Sequence, residues 1–168
     1  LDTMDFQNAL QSVFRQDVDV VMIGEMRTPE TMATAVTAAE TGHLVFSTLH
    51  TNNAAQTIDR IIDSFPPGQQ EQIRVQLAGS LVGIFSQRLV SAAAGGLTPA
   101  YELLVNTPAS ANLIREGKTF QIFSELQTGI KHGMRTLDSH LLELYSKGII
   151  SYDSALEMTY DPNQFTQQ

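Results

Sequence analysis

The sequence predicts an α/β fold: a partial parallel sheet covered by helices, followed by a small all-helical C-terminal domain. Three observations carry this reading. Two short runs rich in β-branched and apolar residues, VDVVMIGE and HLVFSTLH, are each followed by a stretch with helical spacing. Strand–helix–strand–helix alternation of that kind sets strands parallel and lays helices over the sheet. After Thr107 the texture changes to short helical stretches separated by Gly117, Gly129, Gly133 and Gly148. A boundary is therefore expected near residue 106, dividing a sheet portion, 1–106, from a helical portion, 107–168.

The elements follow in order. FQNALQSVFRQ repeats Phe6, Leu10, Val13 and Phe14 at helical spacing. VDVVMIGE reads as a buried parallel strand. RTPETMATAVTAAETG carries helix punctuation, with Thr28 as cap, Pro29 at the first helical position and Gly42 beyond the end. HLVFSTLH is the second buried strand. TNNAAQTIDRIIDSFPP places Ile58, Ile61, Ile62 and Phe65 on one side of a helix that Pro66 and Pro67 stop. A longer helical pattern runs over 69–90 through Ile73, Leu77, Leu81, Ile84 and Phe85. SAAAGG is a small-residue turn, and TPAYELLV is a strand returning to the sheet.

Composition narrows the function. With 168 residues and 42% hydrophobic content the chain can bury one core. No apolar run reaches the ~18 residues of a membrane-spanning helix, and no signal peptide is apparent. The net charge of −8 disfavours nucleic acid as a partner. The absence of cysteine removes disulfides and thiolate metal sites and fits a cytosolic protein. The opening LDTMDF, without an initiator methionine, reads as part of a longer protein.

His43 and His50 bracket the second strand. Seven positions of strand span about 23 Å and turn the two side chains to opposite faces. Even on a helix they would sit about 10 Å apart, whereas ligands of one ion lie about 2 Å from it. This pair alone does not chelate a metal. Ligands of open α/β sheets sit at the carboxyl ends of the strands, where Glu25 and His50 both fall. A carboxylate there orients a water or meets a metal-bound phosphate; the alternative for Glu25 is an ordinary loop glutamate. Ser47, Thr48, Thr51, Asn52 and Asn53 add hydrogen-bonding capacity, and a helix beginning near Asn52 would offer free N–H groups to an anion. His132 reads as a loop residue and His140 as a solvated or packing residue on a helix. The phosphate-cradling pattern G-x-x-x-x-G-K-[ST] does not occur in the chain.

DVVMIGEMR, AAETGHLVFSTLHTNNAAQTIDRIID and FPPGQQEQIRVQLAGSLVGIFSQRLV, in that order, closely resemble the secretion and pilus traffic ATPases. In that family the first segment is the Walker B segment and the second the histidine box. Assembly and secretion members usually carry a tetracysteine insertion after QRL, whereas here QRL runs directly into VSAAAGGLTPAYELL. ANLIREGKTFQIFSELQTG, GMRTLDSHLLELYSKGIIS and DPNQF are similar to the C-terminal domain of the retraction-type members. Two positions depart from the family signature, Val18 standing for a proline and Thr28 for an aspartate, while Gly24 before the glutamate is usual for the family.

The resemblance implies a RecA-like ATPase core working as a homo-hexamer in the cytoplasm. It would sit at the inner face of the membrane against a pilus platform protein and power retraction and twitching motility. It implies ATP and Mg²⁺, with Glu25 positioning or activating water in the Mg²⁺ shell and no direct metal ligand. His50, Gly24, Thr48 and Arg27 would sense the nucleotide, and His43 would support the subunit interface. Leu113, Ile114, Arg115, Glu116 and Gly117 match a retraction motif. The Walker A loop, the Asp box and an N-terminal domain are expected upstream of Leu1. The chain alone is expected to be inactive and to self-associate through an unpaired sheet edge. The alternatives are an assembly or secretion motor of the same family and a non-catalytic docking domain.

Overall fold

The computed structural model describes residues 17–165; the helix expected at Phe6–Phe14 lies outside them. Strand β1 (Val20–Ile23) pairs in parallel with β2 (Leu44–Ser47). Helix α1 (Pro29–Glu40) connects them. Its start follows the sequence closely: Thr28 Oγ1 accepts from the Thr31 N–H, and Pro29 occupies the first turn. At its end Gly42 adopts φ +100°, and the His43 and Gly42 N–H groups bond back to the Ala38 and Ala39 carbonyls. This is the Schellman closure that turns the chain into β2. Both strands were expected to be buried on both sides. Among the described residues only one face is covered: Val21 and Ile23 are buried, while Val20, Met22, Leu44 and Phe46 are exposed.

Helix α2 (Ala54–Asp63) buries Ile58, Ile61 and Ile62, the stripe read from the sequence. Asn53 Oδ1 caps it by accepting from the Gln56 N–H at 2.8 Å. The Pro66–Pro67 pair stops α2 and also starts α3 (Pro67–Ser80), since a proline tolerates the first helical turn.

The helical pattern expected through residue 90 ends sooner. Leu81 is extended, and Gly83–Ser91 forms β3, paired antiparallel with β4 (Leu97–Val105). Ile84 and Phe85 fit a period of 3.6 or of 2, and the local sequence does not separate the two. What decides is the hairpin partner, from Gly83↔Val105 to Ser91↔Leu97. TPAYELLV is thus a strand as expected, but it pairs with β3 and not with the β1–β2 sheet.

The rest is helical: α4 (Pro108–Arg115), α5 (Ile122–Thr128), α6 (Leu137–Ser146) and α7 (Tyr152–Met158), with single turns of 3₁₀ helix between and after them. One apolar core joins Ile58, Ile62, Ile73 and Leu77 to Leu104, Ile114, Ile122 and Leu126, so packing continues across residue 106. A second joins Val90 and Ala100 to Leu137, Leu141, Ile150 and Phe165. Each such isoleucine or leucine contributes about 1.5–3 kcal/mol by leaving water. Among the described residues no helix is long and apolar enough to cross a membrane.

Buried polar groups fix the rest of the register. Asp138 is fully buried, and its carboxylate accepts from Thr159 Oγ1 (2.8 Å), the Tyr160 N–H (2.9 Å) and the Asp161 N–H (3.2 Å). This docks the chain after α7 onto the start of α6. At the end of α4, Gly117 has φ +69°, and the Gly117 and Lys118 N–H groups bond to the Ile114 and Leu113 carbonyls.

Replacing Asp138 with Ala strands those donors and is expected to lower stability by about 3 kcal/mol. The readout is a lower urea midpoint at an unchanged m-value; Asp138→Asn, which keeps an acceptor, should lose less. An unaltered midpoint for Asp138→Ala would mean that residues 159–161 are held by something else. Gly117→Ala is expected to lose about 1 kcal/mol in the same assay, from backbone strain alone. A Cβ there would meet Arg74 Nε at an ordinary 3.6 Å, so no clash adds to it.

Candidate functional site

Parallel pairing from Val20↔Leu44 to Ile23↔Ser47 ends β1 and β2 at the same level. The residues that follow each strand therefore leave the sheet side by side. Two hydrogen bonds tie the exits together: Thr48 Oγ1 donates to the Gly24 carbonyl, and the Met26 N–H donates to the Thr48 carbonyl at 3.1 Å. Gly24 and Thr48 are thus structural partners of one another, the crosslink beneath the site.

Above that crosslink the Glu25 carboxylate is held on both oxygens. Oε1 lies 3.0 Å from His50 Nε2, and Oε2 lies 2.7 Å from Arg27 Nη2. The Glu25 side chain is 25% exposed, against 77% for Arg27 and 87% for His50. The carboxylate is recessed and its two partners reach outward. The hydrogen bond from Arg27 is the largest influence on Glu25 and, with the charges of Arg27 and His50, holds its carboxyl below the usual carboxylate range against the opposing effect of burial. Glu25 is therefore an anion at neutral pH, able to orient a water or take its proton. His50 presents Nε2 to Glu25, which in a neutral ring makes that nitrogen the donor and Nδ1 an acceptor.

Of the residues expected to act together, Glu25, His50, Arg27, Gly24 and Thr48 converge here. Ser47 Oγ, next along β2, is buried without a hydrogen-bond partner among the described residues. His43 does not join them. It stands at the start of β2 with Nδ1 3.0 Å from the Ala38 carbonyl, where it helps close α1. Leu113–Gly117 spans the C-terminal end of α4 and the turn that closes it, and α4 packs against α3 and α5. Within it Ile114 is fully buried, while the Glu116 carboxylate pairs with Lys118 at 2.7 Å and is held below the usual range chiefly by that contact. Among the described residues no three His, Asp or Glu side chains are grouped as a metal cage would require.

One expectation is overturned. The start of α2 was read as a free anion-binding end, but the Ala54 N–H already donates to Glu102 Oε1 at 2.8 Å. Asn53 Oδ1 takes the Gln56 N–H, and Gln56 Oε1 takes the Asn52 N–H at 2.7 Å. The anion at that helix end is internal. Glu102 is 3% exposed, and burial pushes its carboxyl up. The sequence carried a signal for it: Ala100, Glu102 and Leu104 alternate on the inward face of β4, which puts a carboxylate where an apolar residue belongs. A cleft of about 300 Å³ lies beside it, lined by Asn53, Glu102, Ile122, Phe123, Tyr160 and Asp161, and Glu25 does not border it.

His140 is a packing residue. It is buried against the Tyr101 ring, with Nδ1 accepting the Tyr101 N–H at 3.0 Å, and burial pushes its pKa down. His132 ends a 3₁₀ turn at the surface.

Comparison with known proteins shows what the chain is similar to. The chain is 48% identical over 164 residues to the type IV pilus retractation ATPase PilT of Pseudomonas aeruginosa, covering 98% of this chain and 48% of that protein. It is 51% identical over 154 residues to a twitching motility protein of Neisseria gonorrhoeae, covering 91% and 41%. The crystal structure of the pilus retraction motor PilT with bound ADP superposes with a TM-score of 0.88 at 47% identity, covering 99% of this chain and 47% of that one. The chain thus spans about half the length of these relatives. Residues 2–112 match the family described as Type II/IV secretion system protein, and the chain belongs to that family.

Proposed function

We propose that this chain is part of an ATP-hydrolysing motor that powers retraction of a type IV pilus. In this reading the motor is a homo-hexamer in the cytoplasm, docked on a platform protein at the inner face of the membrane. The observation that carries the reading is the Glu25 carboxylate held between His50 and Arg27 at the coincident ends of two parallel strands. The names of the relatives, a retraction ATPase and a twitching motility protein, support retraction over assembly.

Phosphoryl transfer asks a protein mainly to position the nucleophile and to stabilise charge on the phosphate oxygens. Glu25, ionised and recessed, orients the attacking water and accepts its proton. His50 and Arg27 each have one arm on Glu25 and are otherwise exposed, so both can swing to phosphate oxygens when a nucleotide is present. Such a swing leaves Glu25 free for water, and reversing it after hydrolysis would make His50 a sensor of the γ-phosphate. Thr48 and Gly24 hold the floor of the site. His43 is assigned to support of the subunit interface from the opposite end of β2. A single carboxylate suits Mg²⁺, which is typically bound through one or two carboxylates, waters and substrate phosphates; Glu25 would reach it through water. Bound there, Mg²⁺ would supply charge neutralisation at the phosphate oxygens. We assign residues 1–106 to the ATPase core and 107–168 to a C-terminal domain whose Leu113–Gly117 motif serves retraction. The phosphate-cradling loop would be contributed by sequence outside this chain.

In the intact protein Glu25→Gln is expected to reduce ATP turnover by about a hundredfold or more while nucleotide still binds, measured by phosphate release and by calorimetry. Turnover at the wild-type rate would remove Glu25 from the mechanism. Arg27→Ala should raise the Glu25 pKa, because the hydrogen bond that lowers it is lost. The acid limb of the kcat/KM–pH profile, which reports the free enzyme, is then expected to move to higher pH, with a matching shift in the Glu25 carboxyl carbon NMR titration of the nucleotide-free protein. A limb that stays in place would show that another group sets it.

A further inference from the structure

Two residues beyond His50, the Asn52 carbonyl accepts a hydrogen bond from the Tyr160 hydroxyl at 2.8 Å, across 108 positions of chain. The same hydroxyl accepts from Arg88 Nη2 at 2.6 Å. The Arg88 guanidinium lies over the Tyr160 ring, 4.8 Å from its centroid, and its Nη1 reaches the Met158 carbonyl at 3.3 Å. The Tyr160 backbone is fixed in turn by the buried Asp138 carboxylate. Backbone, ring and hydroxyl of Tyr160 are thus each held by a different part of the fold. Its hydroxyl donates toward Asn52 and accepts from Arg88.

The stretch from Thr48 to Asn52 is anchored at both ends. Thr48 is tied to Gly24 and Met26. At Asn52 the N–H is held by Gln56 of α2 and the carbonyl by Tyr160. His50 lies between the anchors, and its Nε2 sits at hydrogen-bonding distance from Glu25. Nothing in this arrangement needs the Tyr160 hydroxyl to fill space; a phenylalanine would stack on Arg88 equally well.

We propose that Tyr160 is a positioning residue for the Glu25–His50 pair, a latch by which the segment after α7 sets the His50 loop. The role of the pair in hydrolysis rests on the function proposed above; the latch itself does not. Tyr160→Phe in the intact protein keeps the ring and removes the hydroxyl. It is expected to lower kcat about tenfold, the order that small misplacement of a catalytic group produces, with KM for ATP unchanged within about twofold. In a His50→Ala background the same substitution should add no further loss, because the group it positions is gone. An equal loss in both backgrounds, or no loss in the first, overturns the proposal. Hydrogen exchange on this chain tests the latch apart from catalysis: in Tyr160→Phe the amides of residues 50–54 should exchange about tenfold faster, the effect of one lost hydrogen bond. Unchanged protection there overturns the latch whether or not the intact protein hydrolyses ATP. Absence of ATPase activity in the wild type would instead defeat the functional reading and leave the exchange result to decide the latch.

Discussion

The arrangement of the site depends on the parallel register of Val20–Ile23 against Leu44–Ser47. A slip of one residue would move one strand end by about 3.3 Å and turn its side chains to the other face. Glu25 and His50 would then no longer meet. The register is set from outside the sheet, by the length of α1. Twelve helical residues rise about 18 Å, and the ends of that helix are fixed by the Thr28 cap and the turn at Gly42. The relation between two functional side chains therefore depends on helix punctuation that lies outside the two strands.

Apolar burial explains that the chain collapses, and the buried polar groups explain why it collapses one way. The cores around Ile58 and Leu141 are held by a force without direction. Asp138, Glu102 and His140 each accept a particular backbone N–H: those of Tyr160 and Asp161, of Ala54, and of Tyr101. A buried carboxylate without such partners would cost several kcal/mol, so alternative packings that separate these pairs are excluded. Glu102 also brings the inward face of the β3–β4 hairpin to the start of α2, the helix that follows the His50 loop. Arg88, in the same hairpin, lies near enough to lower the carboxyl that burial raises.

The sequence made local structure legible and distant pairing much less so. Thr28, Pro29 and Gly42 announce α1, and the isoleucine stripe of α2 is read directly, because capping and helical periodicity depend on neighbours within four residues. The meeting of Glu25 with His50 was also readable, since alternation of strands and helices implies parallel strands with a common carboxyl end. The β3 strand was not, because Ile84 and Phe85 satisfy two periods and only pairing with Leu103 and Leu104 chooses between them. The joining of Arg88 and Asn52 through Tyr160 left no local trace. It depends on chain returns of 72 and 108 residues, and the types involved are ordinary surface residues. Glu102 lies between these cases, visible as a charge on an inward face although its partner was not.

Two kinds of connection run from the helical C-terminal portion to the loop that holds His50, and their strengths differ. One is apolar: Ile114, within the Leu113–Gly117 motif, shares a core with Ile58 and Ile62 of α2. Separating that contact would expose several side chains at about 1.5–3 kcal/mol each. The other is polar, the hydrogen bond from the Tyr160 hydroxyl to the Asn52 carbonyl, of the order of 1 kcal/mol net. A modest displacement of the C-terminal segment would break the weaker, directional contact first and leave the core intact. The core thus keeps the two portions together as a body, while the latch is the element whose state can change within that body. If force on the C-terminal portion is to alter the Glu25–His50 geometry without unfolding, the contact at Tyr160 is the one these magnitudes select.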